Sequence, residues 1–483
     1  MIMNYENIQV ELPYEILQIE DLNFKAEINE HHTFNIKALI DENNVDKYLN
    51  EDTENKQIKI IINNSTIYVG KIIELKISCI NHLSYLNIKS ISYSYNLDIK
   101  RNNHAFINLK STYENVINET LSKYKNYIFK DNITEGKTID SLIVQYEETD
   151  FEFLKRLASH FKSVLVVDSG SDVIRFHFGV ENVSNKYVLE NSFNEIENKF
   201  DFFNTMQSVT KDCLYEQNFI GWKLDNKEYF PLGTEFTYYG QKVCVYKVEM
   251  KIKKGEIIYT YELKFLKGIM TEYKINHKLK GASLEGIVKN VKNNEMQIHF
   301  CINDNYKDYA SNKWFDYCRE TSNFYVMPMV GSKVHITFFT GDERKVNVTN
   351  AIRSAESNAK YYNKILNPSN KSYSTENGQE LLMSPDMIQI AQDDGKSIQV
   401  TLSINGSVSI SGSNINLSAS KKAEVGSKAP FNAKKNPVKP KSISISAKNC
   451  VTITRSSGSS VNPSEVIQLK EENNIKGIAK LGR

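Results

Sequence analysis

A group of acidic residues near position 150 is the first feature of this 483-residue chain that could do chemistry. Its members are Glu147, Glu148, Asp150 and Glu152. A pair of carboxylates flanking a glycosidic bond is the arrangement that glycan hydrolysis requires. Thr149 and Glu152, however, have the spacing of a capping box at the start of a helix, where negative charge is favourable. The sequence therefore favours a structural role for these carboxylates.

Histidine and cysteine side chains give no sign of a metal centre. His299 and His335 fall on predicted strands, opposite the apolar residues, and are expected to be exposed or interfacial rather than ligands. His31–His32 is expected in a loop and Asp393–Asp394 in a turn. The six cysteines lack a CxxC pair or zinc-ligand spacing. Without a phosphate loop, nucleophile elbow or HExxH motif, we expect no catalytic, cofactor-binding or metal-binding residue.

The composition limits the classes of protein to consider. Hydrophobic residues make up 40% of the chain and charged residues 24%, which is ordinary for a globular protein of several domains. The formal net charge of +2 gives no electrostatic footprint for nucleic acid, so no specific nucleic acid is expected as a partner. The N-terminus lacks a signal-peptide pattern, and no run approaches the roughly 18 apolar residues of a membrane span. We therefore expect synthesis in the cytoplasm without a Sec signal.

Short alternating strands organise the stretch from Leu284 to Arg353. The predicted elements are, in order, a strand at Leu284–Val291, a strand at 296–302, an apolar patch at 314–317, a loop with Pro328 and Gly331, a strand at 334–338, a turn at Gly341–Asp342 and a strand at 346–352. Five short strands with Gly and Asn turns over some seventy residues are typical of an oligomer-binding (OB) barrel.

The stretch Ser141–Gly179 combines a strand, a capped helix and a hairpin. Residues 142–146 alternate as a strand, and Thr149 begins a helix whose apolar stripe includes Leu154 and Leu157. Around this stretch the chain is rich in strands, with one more amphipathic helix after Thr112. The other predicted strands lie mainly at 58–95, 164–178, 204–210, 242–253 and 256–265.

Both stretches resemble one family. Ser141–Gly179 resembles the Q-Y-x-E-(S/T)-D-(Y/F)-x-F-L-x-R-L segment of VgrG and phage late-control tail-hub proteins, and the stretch from Leu284 to Arg353 resembles the OB domain of phage tail spikes and VgrG-type spikes. The motif residues of Ser141–Gly179 are Gln145, Tyr146, Thr149, Asp150, Glu152, Phe153, Leu154 and Leu157, and those of the OB stretch are Pro328, Gly331, Gly341 and Asp342. The resemblance extends over roughly Asn4 to Arg353 and implies a component of a contractile injection system.

Beyond Arg353 the sequence becomes β-repetitive, with small polar residues between apolar ones. Each short strand has one apolar face that a single chain has little with which to cover, and open edges that invite pairing. We therefore predict an intertwined needle of identical chains, and the family resemblance implies three of them. The predicted needle core consists of Ile398, Val400, Leu402, Ile404, Val408, Ile410, Ile415 and Leu417.

The predicted fold class is mainly β with a few short helices. The expected domains are a first barrel-like hub domain at 1–105, a helical insert and second barrel-like hub domain at 106–275, an OB neck at 283–353, a linker or collar at 354–386, a β-repeat needle at 387–455 and a flexible tail at 456–483. A lysine-rich insertion at 421–441 is expected to be a solvated loop, although it could touch an anionic envelope.

The resemblance implies a structural hub-and-spike protein of a phage tail, an R-type bacteriocin or a related secretion apparatus. The expected partners are two further copies of the chain, a hexameric tail tube, baseplate proteins, the envelope of the target cell, and a PAAR-like tip protein or an effector at the C-terminus. Two other classes stay open. A cell-wall hydrolase could use the spike as a carrier, and a secreted adhesin or glycan-binding module could combine an OB barrel with β-repeats.

Overall fold

The computed structural model divides the chain into two compact units, Met1–Ile352 and Arg353–Arg483. The structure describes residues 2–5, 8–53, 56–181, 187–189, 193–198, 214–238, 240–253, 255–303, 312–318, 326–352, 367–375, 377–392, 398–412, 414–419, 422–426, 442–447 and 450–454. Strands predominate in both units, as the alternating sequence pattern predicts.

The first unit begins with seven strands and a short helix. In chain order they are β1 (Ile2–Tyr5), β2 (Ile8–Glu11), β3 (Gln18–Glu27), β4 (Thr33–Ile40), α1 (Val45–Asn50), β5 (Gln57–Ile62), β6 (Ser65–Ile80) and β7 (Leu83–Ser92). A mixed segment follows with β8 (Arg101–Phe106), α2 (Tyr113–Leu121), β9 (Tyr127–Asp131), β10 (Ile143–Thr149), α3 (Asp150–Ser159), β11 (Leu165–Val167) and β12 (Ile174–Phe178). The next elements are β13 (Tyr187–Leu189), β14 (Glu195–Asn198), β15 (Ile220–Asn226), β16 (Glu235–Tyr238), β17 (Gln241–Lys253), β18 (Glu256–Lys264) and α4 (Leu266–Ile269).

Within the described residues, thirteen strands form one sheet. Its main order is β1-β2-β5-β6-β7-β4-β3-β17-β18-β15-β14, and β16 and β13 join through β17. The sheet crosses the expected boundary at residue 105, because β3 pairs antiparallel with β17, placing Ala26 opposite Val248. Apolar side chains from both halves share one core, among them Phe24 and Tyr259. The sequence did not predict that strands from both expected hub domains belong to one sheet, since a period-two pattern fixes a strand's faces but not its neighbour. The division into two barrel-like hub domains at residue 105 stays a prediction.

The two predicted helices lie in a second core beside this sheet. Thr112 caps α2 by accepting a hydrogen bond from the amide of Asn115, and α3 follows β10 directly. The predicted hairpin is confirmed as β11 paired antiparallel with β12. Strands β8 and β10 pair with each other and bury both faces. Ile143 points into the core around α3, whereas Val144 points into the core of the small barrel described next.

A small five-stranded barrel ends the first unit. Its strands are β19 (Ser283–Lys292), β20 (Glu295–Phe300), β21 (Phe315–Asp316), β22 (Lys333–Thr337) and β23 (Asn347–Ile352), in the order β21-β20-β19-β22-β23. A bridge between Tyr317 and Val348 joins the two ends of the sheet. The five predicted strands are confirmed, with ends shifted by a few residues.

The second unit begins with an antiparallel sheet, followed by parallel strand pairs. Its strands are β24 (Lys371–Ser374), β25 (Gln379–Met383), β26 (Met387–Gln392), β27 (Ile398–Ser403), β28 (Val408–Ser411), β29 (Asn414–Ala419), β30 (Lys422–Gly426), β31 (Ser442–Ala447) and β32 (Cys450–Thr454). Strands β24 to β28 form one five-stranded meander, while β29 pairs with β31 and β30 with β32. Two strands therefore lie in the predicted linker at 354–386, where the polar side chains of Lys371–Ser374 hide the strand pattern.

Some predictions fall outside the described residues. These are the strand at 204–210, the turn at Asp393–Asp394, most of the lysine-rich insertion at 421–441 and the tail at 456–483. The backbones of Ile415 and Leu417 lie in β29, but their side chains are outside the described part of the chain.

We expect Gly286→Ala to destabilise the small barrel by about 1–3 kcal/mol, because an added methyl group overpacks its interior. A Cβ at Gly286 would lie 2.4 Å from Ile298 Cγ2 and 2.6 Å from Ile336 Cδ1. Urea unfolding followed by tryptophan fluorescence and circular dichroism measures the change. The exposed Ser283 on the same strand supplies the control, since Ser283→Ala should stay within about 0.5 kcal/mol of the wild type. Equal stability of the two variants would contradict the packing argument.

Candidate functional site: a buried charge junction and an exposed apolar sheet

The start of helix α3 has the predicted capping box. The hydroxyl of Thr149 accepts a hydrogen bond of 3.1 Å from the amide of Glu152, whose carboxylate accepts one of 3.0 Å from the amide of Thr149. Glu152 also accepts from Arg101 at 3.1 Å, and Thr149 donates to Asp98. The backbone carbonyl of Glu147 accepts a bond from Arg101, at a bulge in β10. These contacts fix where the helix begins.

Asp150 is a fully buried carboxylate surrounded by donors. Its oxygens accept hydrogen bonds from Tyr124 Oη at 2.5 Å, from Gln145 Nε2 at 2.9 Å and from Asn102 Nδ2 at 3.1 Å, and Lys123 Nζ lies 2.7 Å away. Burial, together with these bonds to Asp150, raises the pKa of Tyr124. The cluster ties β8, β10 and the segment after α2 to the first turn of α3. With four donors already on it, Asp150 holds the structure together, as the sequence predicts for the carboxylates at this cap.

Arg156 forms the centre of a buried charge junction between the mixed segment and the small barrel. Its Nε and Nη2 donate to the Glu148 carboxylate at 2.8 and 2.9 Å, and its Nη1 donates to both oxygens of Glu343 at 2.9 and 3.0 Å. Nη2 also donates to the carbonyl of Val144 at 2.8 Å. All three charged side chains are more than 90% buried. Burial alone would lower the pKa of Arg156, but Glu343 and Glu148 together raise it.

The barrel turn next to Glu343 extends the junction. Asp342 accepts two hydrogen bonds of 2.8 Å from the guanidinium of Arg344, and these bonds lower the pKa of Asp342. Arg344 in turn lies over the ring of Tyr273, 4.5 Å from its centre. The ring of His160, at the C-terminal end of α3, also stacks on Tyr273, with 4.4 Å between the ring centres. One aromatic side chain therefore contacts both the helix end and the barrel turn.

Most other motif residues lie around this junction. Phe153, Leu154 and Leu157 are fully buried, and Tyr146 packs against the barrel core. A Cβ at Gly341 would lie 2.8 Å from the carbonyl oxygen of Asn276, so only glycine permits this close approach. Pro328 and Gly331 lie in the loop before β22, where Gly331 has a φ of +84° and donates its amide to Val288 at 2.8 Å. Gln145, Thr149, Asp150, Glu152 and Asp342 have the contacts given above.

The histidines show no metal arrangement. His299 and His335 lie on strands either side of β19, opposite Ile287 and Glu285 respectively. His31 and His32 lie in a loop as predicted, where His32 is buried and His31 is partly buried. The His31 ring stacks on Phe151, with 3.9 Å between centres, and burial lowers its pKa to about 4. Within the described part of the chain, no group of three His, Cys, Asp or Glu side chains could hold a metal ion.

A second candidate site is the apolar face of the β24–β28 sheet. Two rows of apolar residues run across it, Leu381–Ile390–Val400–Ile410 and Met383–Ile388–Leu402–Val408. Of the predicted core residues, Ile398 and Ile410 are 52% exposed and Val408 is 65% exposed. Ile404 is a correction, because it lies in the turn after β27 rather than on a strand. Strands β24 to β28 pair with their neighbours in the same chain, and the predicted pairing of edges between chains stays a prediction.

The charge junction joins Arg156 and Glu343, two residues that sequence analysis did not connect. Arg156 follows Phe153 by three residues, so both lie on one side of α3, and the guanidinium lies 5.3 Å from the Phe153 ring centre. A charged residue beside the apolar stripe of a helix signals a buried ion pair. Nothing in the sequence indicates which carboxylate completes it, because Glu343 is 187 positions away.

Comparison with known proteins places this fold. No protein-family model matches the sequence, and no curated protein sequence matches it. Among solved structures, the E. coli c3393 protein, a type VI secretion component described as similar to the T4 bacteriophage tail proteins gp27 and gp5, matches with a TM-score of 0.52 and 13% identity over 71% of this chain and 99% of its own. A chain of the lidded Francisella PdpA–VgrG complex matches with a TM-score of 0.51 and 10% identity over 84% of this chain and 79% of its own.

The chain shares the fold of a type VI secretion component that is described as similar to the phage tail proteins gp27 and gp5, and of a chain in a PdpA–VgrG complex. The VgrG and tail-hub resemblance seen in the sequence is therefore confirmed at the level of the fold. No helix of the described residues is long and apolar enough to cross a membrane.

We expect Arg156→Met to lower the free energy of unfolding by about 3–5 kcal/mol, because it leaves Glu148 and Glu343 buried without a cation. The neighbouring Lys155, whose ammonium lies over the Phe151 ring, provides the control, and Lys155→Met should cost less than about 1 kcal/mol. Chemical denaturation measures both variants.

A rescue variant separates charge from packing at this junction. Arg156→Met combined with Glu148→Gln and Glu343→Gln removes the unpaired charges, so it should be more stable than Arg156→Met alone. If the triple variant is no more stable, lost packing rather than buried charge explains the effect.

Proposed function

We propose that this chain is a hub-and-spike protein of a contractile injection particle. The first unit acts as the hub that joins a hexameric tail tube, and the second unit contributes to a trimeric needle. The observation that carries the proposal is the apolar face of the β24–β28 sheet, on which six of the eight apolar side chains in the two rows are exposed. The fold of the first unit supports the hub assignment.

Self-association best accounts for the apolar face. A soluble chain rarely exposes a contiguous patch of this kind unless it is an interaction site. The opposite face carries small and polar side chains such as Gln389, Thr401 and Ser409, of which Thr401 is already buried within the chain, so the apolar face is the side left for a partner. Burying one aliphatic side chain contributes roughly 1.5–3 kcal/mol, and the contribution recurs for each residue in each chain. Three identical sheets packed around one axis cover all three faces at once.

In this proposal each copy contributes a whole sheet to one side of the needle. Strands β25, β26 and β27 have a hydrogen-bonded neighbour on both sides within the chain, and β24 and β28 form the two edges of the described sheet. Association can therefore use the apolar faces without rearranging these pairings. The parallel pairs β29–β31 and β30–β32 continue the needle as a β-helix. Ile415 lies opposite Ile443 and Leu417 opposite Ile445 in the register of the first pair. This register puts apolar residues side by side along the needle.

The remaining domains take their roles from the same proposal. The small barrel is an OB-type neck at 283–353. The ranges 1–105 and 106–275 each form one element that contacts the tail tube, so every chain contributes two such elements. Three chains then present six such elements to a hexameric tube. The shared sheet supports a rigid relation between the two elements, because β3 and β17 are hydrogen-bonded neighbours.

The proposed partners are those of a tail particle: two further copies of the chain, the tail tube, baseplate proteins and the target envelope. The matched VgrG structure is a complex with PdpA, which supports a tip protein or an effector as a further partner here. The particle is a phage tail, an R-type bacteriocin or a secretion apparatus. We propose no enzymatic activity and no cofactor, because the best candidate carboxylates are bound by structural donors. A spike-borne hydrolase and a secreted adhesin therefore rank lower.

We expect Ile410→Asp to abolish trimer formation while the first unit stays folded. Three carboxylates near one axis would be costly to desolvate and would repel each other. Analytical ultracentrifugation gives the mass of the oligomer that the purified chain forms. Thermal unfolding followed by circular dichroism reports whether the first unit is folded. Ser409→Asp is the matched control, because its side chain lies on the opposite face of β28.

Three results decide between the alternatives. A wild-type trimer that Ile410→Asp disrupts and Ser409→Asp preserves supports the proposal. A monodisperse wild-type monomer contradicts it. Loss of the trimer in both variants equally would mean that added charge, rather than the apolar face, determines assembly.

A further inference from the structure

The large sheet contains the same arrangement of five strands twice. The first set is β5-β6-β7-β4-β3 and the second is β16-β17-β18-β15-β14, and every neighbouring pair in both sets is antiparallel. The long strands β6 and β17 occupy equivalent positions. Each has a bulge two residues after its pairing with the preceding strand ends, at Ile73 and at Tyr246. The two sets therefore form an internal repeat.

The two repeats join along one pair of strand edges within the chain. Beyond its bulge, β17 pairs on one side with β18 and on the other with β3, the outermost strand of the first repeat. Met250 then lies opposite Phe24 on the core face, and Glu249 lies opposite Lys25 on the other face. Both Met250 and Phe24 are fully buried. The junction therefore consists of a long strand beyond its bulge and the outermost strand of the other repeat.

Each chain has one more edge of each kind. Within the described part of the chain, β6 beyond its bulge pairs only with β7, and β14, the equivalent of β3, pairs only with β15. Ile196 of β14 is 49% exposed, although it lies opposite the buried Trp222. Ile77 of β6 is only partly buried at the margin of the same core. The equivalent residues Phe24 and Met250 are fully buried, so these two edges leave uncovered what the internal junction covers.

We propose that β14 of one copy pairs antiparallel with the second half of β6, residues 74–80, of another copy, so that the junction of β3 with β17 recurs between chains. Aligning the bulges and the neighbouring strands of the two repeats sets the register. It places Ile196 opposite Ile77, Glu197 opposite Lys76 and Glu195 opposite Ser78. This register joins the two incompletely buried isoleucines on the core face. It also pairs opposite charges on the other face, as Lys25 and Glu249 do at the internal junction.

The contact between copies is head-to-tail, because it uses two different edges. Six strands lie between β6 and β14 in the sheet order of one chain. Head-to-tail contacts close into a ring when the rotation between copies fits, and they form open filaments when it does not. The number of copies rests on the trimer of the proposed function. A ring of three chains then contains six repeats, joined alternately within and between chains.

This contact is short, so it depends on the needle. Strand β14 has only four residues, and isolated pairs of short strands are marginally stable in water. In the proposed trimer the apolar sheets hold the copies together, which raises the local concentration of the two edges. Ile410→Asp should therefore remove the contact together with the trimer.

Disulfide formation between two introduced cysteines tests the register. Residues opposite each other in antiparallel strands have Cα atoms about 4.5–5.5 Å apart, within the range of a disulfide. The full chain carries Lys76→Cys and Glu197→Cys, together with Cys79→Ser to remove an exposed native thiol. After mild oxidation, a non-reducing denaturing gel should show a species of three linked chains. Either single-cysteine variant should give none.

Two further cysteine pairs complete the design. Ser78→Cys with Glu195→Cys is a second pair in the proposed register and should also link the chains. Lys76→Cys with Glu195→Cys is the matched control. It uses the same strands two residues out of register, where a diagonal separation of about 7–8 Å exceeds the reach of a disulfide. If the crossed pair links chains as efficiently as the two matched pairs, the register is wrong.

The outcomes separate this inference from the proposed function on which it rests. If the wild type sediments as a trimer and neither matched pair links chains, the strand pairing is wrong and the proposed trimer stands. If matched pairs still link chains in the Ile410→Asp background, the strand pairing is supported, and assembly by the apolar sheet is contradicted.

A measurement on the wild-type chain decides if the cysteine variants fail to fold. A carbodiimide couples the Lys76 ammonium to the Glu197 carboxylate only where the two groups touch. Mass spectrometry of trimers mixed from isotope-labelled and unlabelled chains shows whether the coupled residues come from different copies. Coupling between copies supports the inference, and a trimer without it contradicts the inference.

Discussion

The first unit depends on one guanidinium group that is satisfied only when three segments meet. Arg156 needs the Glu148 carboxylate, the carbonyl of Val144 and the Glu343 carboxylate of the barrel turn. Removing the guanidinium leaves two buried carboxylates without a cation, which costs far more than a surface ion pair contributes. The junction therefore has one low-energy arrangement. Such a network contributes less to stability than an apolar contact of equal size, but it fixes how the small barrel sits on β10 and α3.

Short-range rules account for the elements that the sequence predicted. Period-two alternation identified the barrel strands, and the Thr149–Glu152 spacing identified the start of α3, because both depend on residues a few positions apart. Pairings between distant segments were not predictable in this way. The contact of β3 with β17 and the bond of Arg156 to Glu343 depend on the whole chain fold. Only the motif arginine beside an apolar stripe gave a local sign that a distant carboxylate was required.

In the second unit, too, the sequence predicted the faces of the strands but not which strands pair. Its alternation predicted which side chains share a face, and Val400, Leu402, Val408 and Ile410 do lie on one side of the sheet. The pattern did not reveal that β24 and β25 precede the predicted repeat, because lysine and serine predominate in β24 and β25 has only a short apolar run without alternation. Nor did it reveal that each strand pairs with its neighbour in the same chain. A strand's sequence specifies its faces, whereas hydrogen-bonded edges are alike in every strand.

The first unit contains a buried ionic network and the second unit an exposed apolar face. The two kinds of interaction respond differently to displacement. A buried ionic network tolerates little displacement, since its energy depends on hydrogen-bond geometry, and it suits a joint that must hold one angle under load. An apolar face is non-directional, and its stabilisation grows with the area that is buried. It suits an element that gains strength by repetition along an axis. Because the ionic joint lies within one chain, it is complete before any partner arrives. Under the proposed function the apolar sheet is completed by association, and assembly then follows folding of the first unit.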